Sequence, residues 1–296
     1  DGSSFEIDGS NNLKLKSTVT ADEDVKSSYS VTINATDENE TASKLFTINV
    51  AGANDAPTLS VPTGGSITED ASTSVVTGSL TGSDPENDTL VYSVDGVTAA
   101  SGSCTAVGSY GTLVLTSATG AYTYSINNAA TSVQSLGSGD AVTEVFSVAL
   151  SDGTNKTSSQ NLSFTINGAN DAPANVSLTK TNVTENLAGA IVGTLNATDP
   201  DGDTITYSIA NTGDGSSFEI DGSNNLKLKS TVTADEDVKS SYSVTINATD
   251  ENETASKLFT INVAGANDAP TLSVPTGGSI TEDASTSVVT GSLTGS

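Results

Sequence analysis

The 296-residue chain carries 36 acidic against 10 basic side chains, a net charge of −26, with no His, Met or Trp and a single cysteine. That balance argues against nucleic acid, because phosphate neutralisation needs a basic face. Without His, and with one thiol, the usual zinc, copper and haem ligand sets and a Ser-His triad cannot be assembled.

Taken in order, the chain begins inside one domain and ends inside another. Residues 1–83 recur without a substitution at 214–296, and the hexapeptide Gly-Ala-Asn-Asp-Ala-Pro stands at 52–57, 168–173 and 265–270. Such self-similarity is the mark of a repeat architecture, which distributes stability and function along the chain instead of gathering them at one pocket. The expected divisions are 1–57, the C-terminal part of one domain; 58–173, a complete domain of a second kind; 174–270, a complete copy of the first kind; and 271–296, the start of a further domain of the second kind.

Within 174–270 the segments 205–209, 242–246 and 259–263 alternate apolar and polar residues, separated by Asp-Gly and Asn-rich turns such as 201–203 and 221–225. Residues 58–173 follow the same scheme, the clearest strands being 90–94, 112–115, 122–126, 146–150 and 162–166. Alternation with period two and no helical period predicts antiparallel strands with one buried face. The expected fold is therefore all-β, a tandem array of antiparallel Ig-like β-sandwich domains forming a rod. Tyr122, Tyr124, Tyr207 and Tyr242 fall at core-facing positions, and Cys104 reads as an inert small core residue, the alternative being a thiol that links neighbouring fibres.

The chemistry lies in short acidic motifs at strand ends. In 174–270 these are Glu185, Asp199-Pro-Asp201-Gly-Asp203, Asp235-Glu-Asp237, Asp250 and Asn267-Asp268; in 58–173 they are Glu69-Asp70, Asp84-Pro-Glu86-Asn-Asp88, Asp152 and Asn170-Asp171. A hard cation such as Ca²⁺ takes six to eight oxygens, and an Asp-x-Asp-x-Asp loop can wrap one. A single such turn is as compatible with a solvated loop; recurrence beside the same joint in two dissimilar domains favours the shared cation reading.

On these residues, 174–270 resembles a cadherin repeat of the bacterial cadherin-like kind, through Glu185-Asn186, Ala197-Thr-Asp199-Pro-Asp201, Asp235-Glu-Asp237, Ala248-Thr-Asp250 and Asn267-Asp268-Ala-Pro270. Residues 58–173 resemble a VCBS repeat of secreted bacterial proteins, through Thr68-Glu-Asp70, Ser83-Asp84, Gly120-Ala-Tyr-Thr-Tyr124 and Ser151-Asp-Gly153. The cadherin resemblance implies Ca²⁺ at each joint. The joint near Asn54 would draw on Asp22, Asp24, Asn54 and Asp55 with Asp84, Glu86 and Asp152. That near Asn170 would use Glu69, Asn170 and Asp171 with Asp199, Asp201 and Asp250, and the third Glu185, Asp235, Asp237, Asn267 and Asp268. Asp88 and Asp203 complete the two acidic loops. The sequence departs from the family where Gly52, Gly168 and Gly265 replace a linker Asp and Ala56, Ala172 and Ala269 replace an Asn, which implies fewer ions or weaker binding at each joint. The function implied is a non-catalytic extender segment of a giant, calcium-stabilised bacterial surface fibre or adhesin. Its partners would be neighbouring repeats and other copies of the fibre, with no nucleic acid and no membrane span in this segment. Adhesion to carbohydrate or to itself is the alternative reading.

Overall fold

The computed structural model describes residues 1–267, 270, 272–273 and 294–295. By its internal contacts the chain divides into two units, Asp1–Asn170 and Asp171–Ser296.

In the first unit, residues 1–57 form two hairpins. β1 (Phe5–Ile7) pairs with β2 (Leu13–Leu15), and β3 (Ser28–Thr36) pairs along its length with β4 (Thr41–Asn49). There follow β5 (Thr58–Leu59), β6 (Ser66–Thr68), β7 (Val75–Ser79), β8 (Gly82–Ser83), β9 (Val91–Val94), β10 (Ser103–Val107), β11 (Gly111–Thr116), β12 (Ala121–Ile126), the short helix α1 (Thr131–Gln134), β13 (Ala141–Ser151) and β14 (Gln160–Asn167). They build two four-stranded sheets, β10-β11-β12-β7 and β6-β14-β13-β9, beside the small pair β5-β8. Only β6 runs parallel to its neighbour, β14, so the sheet that begins the sandwich also closes it.

Alternation sets the core. Leu113 and Leu115 of β11, Tyr124 of β12, Val148 and Leu150 of β13 and Leu162, Phe164 and Ile166 of β14 are all fully buried at alternate positions of their strands, and Ala149, between two of them, is buried as well. Tyr124 stacks on Phe164 with centroids 4.2 Å apart, and Cys104 lies in the same core as a free buried thiol. Tyr122 is buried too, as its parity requires.

The second unit repeats the plan with β15 (Ala174–Leu178), β16 (Asn182–Thr184), β17 (Ile191–Thr198), β18 (Thr206–Ile209), β19 (Phe218–Ile220), β20 (Asn225–Leu228), β21 (Ser241–Thr249) and β22 (Thr254–Ala264). The sheets are β15-β17-β20-β19 and β16-β22-β21-β18, and again the strand pair β16–β22 is parallel. Tyr242 is buried and Tyr207 half-buried.

The exact repeat supplies an internal control. Phe218 meets Tyr242 edge-on at 5.4 Å, and the same pair earlier in the chain, Phe5 and Tyr29, does so at 5.3 Å. Burial differs nonetheless: Leu226 is 0% exposed and Phe259 7%, while their earlier counterparts Leu13 and Phe46 are 36% and 43% exposed. In the later copy residues 174–213 supply half of the sandwich that covers these side chains.

Candidate cation-binding loops

The two acidic loops share a sequence pattern and a geometry. Each opens with Asp-Pro; proline fixes φ at the first turn position, and the fourth residue enters the left-handed region, Asn87 at φ 60° and Gly202 at φ 83°. The turn closes by Asn87 N donating to Asp84 O at 3.2 Å and Gly202 N to Asp199 O at 3.3 Å. The leading carboxylate then organises its own loop. Asp84 Oδ1 accepts from Glu86 N at 3.1 Å and Asp88 N at 3.0 Å; Asp199 Oδ1 accepts from Asp201 N and Asp203 N, both at 3.1 Å.

The other oxygen of each leading Asp is the informative one. Asp84 Oδ2 and Asp199 Oδ2 are buried with no hydrogen-bond donor among the described residues, and Asp201 Oδ1 is in the same state. A buried carboxylate oxygen without a donor costs free energy that a native fold rarely leaves uncompensated. Burial pushes the Asp201 carboxyl above the usual range, and the charges of Asp199, Asp203 and Asp250 push the same way. A cation among these oxygens would remove both penalties, so the donor set fits Ca²⁺, which takes oxygen ligands alone.

Among the described residues, carboxylate oxygens converge at two places. Asp199, Asp201 and Asp203 each offer one within 4.8 Å of the others, and so do Asp24, Asp55 and Glu86. The second group joins three segments of the first unit: the turn before β3, the joint after β4 and the loop after β8. Burial raises the Glu86 carboxyl, with Asp24 and Asp55 adding repulsion. Joint backbone enters both groups, Asp55 N donating to Glu86 Oε2 at 3.3 Å and Asp171 N to Asp201 Oδ2 at 2.8 Å. Asn54 Nδ2 donates to Asp152 Oδ2 at 2.8 Å, while Asp152 Oδ1 gathers the amides of Thr154 and Asn155. Asp250 holds the corresponding turn through Asn252 N and Glu253 N.

Several expected ligands are also engaged in hydrogen bonding. Glu69 and Glu185, both buried, clasp the joint: Ala169 N donates to Glu69 Oε1 at 3.1 Å, and Ala266 N donates to Glu185 Oε1, whose second oxygen accepts from Glu236 N at 2.6 Å. These amides hold the Glu185 carboxyl below the ordinary range, Ala266 contributing most. Asp22 and Asp235 cap the turns that follow them, accepting from Val25 N and Val238 N at 3.1 Å. Asp88 is exposed, as is Asp237. Asn170 is half-buried and Asn267 exposed, and both have partners; Asp268 lies outside the described residues.

The joint glycines have different surroundings. A Cβ on Gly168 would stand 2.1 Å from Leu136 O and 2.3 Å from Gly137 O, so no side chain fits, whereas among the described residues a Cβ on Gly265 would meet nothing nearer than 3.8 Å. Sequence reading also missed Glu144. It sits on an inward position of β13, where its carboxylate accepts from Tyr124 Oη at 2.8 Å, Tyr110 N at 3.0 Å and Ser109 N. An acidic residue between Val142 and Phe146 on a core-facing parity was the available signal.

Residues 54–168 match the bacterial cadherin-like domain and residues 179–264 match the cadherin domain. Among solved structures, the chain is similar to the protocadherin gamma B4 extracellular domain (TM-score 0.57, 17% identity, 90% of this chain and 42% of that one). It is also similar to protocadherin gamma B2 extracellular cadherin domains 1–5 (0.56, 19%, 90% and 52%) and to mouse protocadherin-24 EC1–3 (0.51, 18%, 88% and 87%). The chain thus spans about half the length of the two gamma ectodomains. No curated protein is matched.

Proposed function

We propose that this chain, which carries a bacterial cadherin-like domain and a cadherin domain in tandem, is a non-catalytic extender segment of a longer extracellular or cell-surface protein whose joints are fixed by Ca²⁺. On this reading the chain divides after the proline that closes each joint, into 1–57, 58–173, 174–270 and 271–296, in a repetitive array of the kind found in large bacterial adhesins. The observation that carries the reading is the orphaned buried oxygen at the same place in both loops, Asp84 Oδ2 and Asp199 Oδ2. Asp24, Asp55, Asp84 and Glu86 would hold one cation, and Asp199, Asp201 and Asp203 another. Bound there, Ca²⁺ supplies positive charge and oxygen coordination. The chain's own residues do the rest: Asp84 and Asp199 shape their loops through backbone amides, and Asp55 ties the first joint to Glu86.

Calorimetric titration of the full chain with calcium, paired with thermal unfolding, tests this. Saturating calcium, at about a hundred times Kd, should add roughly 2.7 kcal/mol of stability to the domain that binds it. Asp84→Asn and Asp199→Asn should each remove one class of site. A melting temperature and a heat signal both indifferent to calcium would sink the proposal.

A further inference from the structure

The two complete sandwiches treat one strand edge differently. In the second unit β21 leaves its pairing with β18 at Ile246, and the chain after β18 stays alongside. Ala210 N donates to Thr245 O at 2.9 Å, Asp214 N donates to Ser243 O at 2.8 Å, and Asp214 Oδ2 accepts from Ser243 N at 2.8 Å. Both backbone groups of Ser243 are thereby satisfied. Asp1 closes the same clamp on Ser30 in the earlier copy, at 3.0 Å and 2.9 Å.

The matching strand of residues 58–167 is β13, where Val148 is the last residue paired with Val94 and Asp95 N donates to Ser147 O at 2.9 Å, the counterpart of Ala210 to Thr245. There the match stops. The chain turns away at Gly96, φ 76°, and Val97 N folds back on Val94 O at 3.2 Å, so no residue takes the place of Asp214 beside Val145. The direction of the Val145 backbone follows from its neighbours. Thr165 N donates to Gly65 O, away from β13, so the Thr143–Thr165 pair is not hydrogen-bonded, and by alternation neither is Val145–Ser163. The N–H and C=O of Thr143 and Val145 therefore open into a cleft of about 640 Å³ that Val97, Val107, Tyr110 and Phe146 help to line. Its far wall includes β10, the terminal strand of the opposite sheet, and the Glu144 carboxylate anchors the turn after it through Tyr110 N.

We infer that this cleft is a docking groove for an extended strand of another polypeptide, which adds to β13 by pairing its backbone with Thr143 and Val145. Open edges are normally guarded by a charge, a proline or a covering loop; Thr143, Val145 and Ser147 supply none of these, and the covering loop is the feature lost relative to the sister domain. The occupant is an aliphatic strand without acidic residues. Its alternate side chains meet Val107 and Val145, which are 81% and 48% exposed, and a chain of net charge −26 repels acidic segments. This inference stands apart from the calcium reading and uses none of its residues.

Amide hydrogen exchange on the isotope-labelled full chain tests it, with a blocked synthetic peptide of alternating valine and threonine as the probe. In the free chain the Val145 amide should exchange rapidly while that of Ser243 is protected; the peptide should then slow exchange at Thr143 and Val145 by about tenfold or more. Val145→Pro, which deletes that N–H without touching the ladder to β14, and Val107→Glu, which charges the wall, should each abolish the protection; if the proline variant fails to fold, Val107→Glu decides. A Val145 amide already protected in the free chain, a peptide that changes no cleft amide, or protection that survives Val107→Glu overturns the inference.

Discussion

Asn54 and Asp152 stand 98 residues apart and share a hydrogen bond of 2.8 Å from Nδ2 to Oδ2. The second oxygen of the same carboxylate holds the turn between β13 and β14, and these donors, Asn155 first and Asn54 next, keep Asp152 below the usual carboxylate range. The first joint is therefore fastened by the protein's own hydrogen bonds. Asn54→Ala should lower the stability of the joint by about 1 kcal/mol, read as faster amide exchange over residues 52–57, and should weaken calcium binding in the Asp24, Asp55 and Glu86 group. Unchanged exchange there would show that the bond has no role in fixing the joint.

The acidic groups predict an unusual pH dependence. Glu86 and Asp201 have folded pKa values raised above 4.5 and 3.8, so in that window the folded state keeps protons the unfolded state has lost, and stability falls as pH rises through the folded values. Asp95, Asp152 and Asp214 are lowered below 3.8 by Ser159, Asn155 and Lys239 respectively, and their contribution is lost as pH falls through those lower values. The calcium-free chain should thus melt highest in mildly acidic solution and lower at neutral pH. Calcium bound as proposed would hold Glu86 and Asp201 ionised, so it should raise the neutral-pH melting temperature most and remove the acidic optimum. Thermal melts across pH 3 to 8 with calcium and with chelator would show it; parallel curves would contradict it.

Glu144 carries a third prediction. Among the described residues Tyr124 is the only side chain that donates to its carboxylate, and burial, followed by that hydrogen bond, pushes the phenol far above its ordinary value. Tyr124→Phe should cost about 1–3 kcal/mol in chemical denaturation, since a buried carboxylate loses a donor while the ring stacking on Phe164 is kept. In the parent chain Tyr124 should give no phenolate absorbance until the fold is lost in alkali.

How much of this was legible in the sequence depends on the reach of each interaction. Alternation at Tyr122-Thr-Tyr124-Ser-Ile126 and Phe259-Thr-Ile261-Asn-Val263 located strands and their buried faces because the strand period is local. The Asp-Pro loops were legible for the same reason, their hydrogen bonds spanning two to four residues. Glu69 and Glu185 were visible as conspicuous acids but not as clasps on Ala169 and Ala266, since that contact follows from the parallel pairing of β6 with β14 and β16 with β22. The clamp of Asp214 on Ser243, and its absence at Val145, required the path of a loop that no local pattern encodes.

Leu226 gives a direct experiment. Leu226→Ala empties a fully buried site and should cost about 2–5 kcal/mol in the second unit, by lost transfer and residual cavity. Denaturant unfolding that shows no loss of stability would mean that this site is not closed in solution.

The joint glycines supply the last prediction. Gly168 has no room for a side chain, its Cβ direction being filled by the carbonyls of Leu136 and Gly137, and its N–H donates to Asp140 O at 2.9 Å. Backbone atoms cannot step aside as a flexible side chain would, so Gly168→Ala must displace the segment after α1 or the joint, at about 1–3 kcal/mol. Among the described residues a Cβ on Gly265 meets atoms of Glu185 and Glu236 at 3.8 Å or more, so Gly265→Ala should be neutral, and Gly265→Asp should add a carboxylate beside Glu185. If the third joint binds calcium, Gly265→Asp destabilises the chain in chelator and tightens calcium binding in its presence. Loss of stability under both conditions would mean that the third joint takes no cation and that Glu185 serves it only as a clasp.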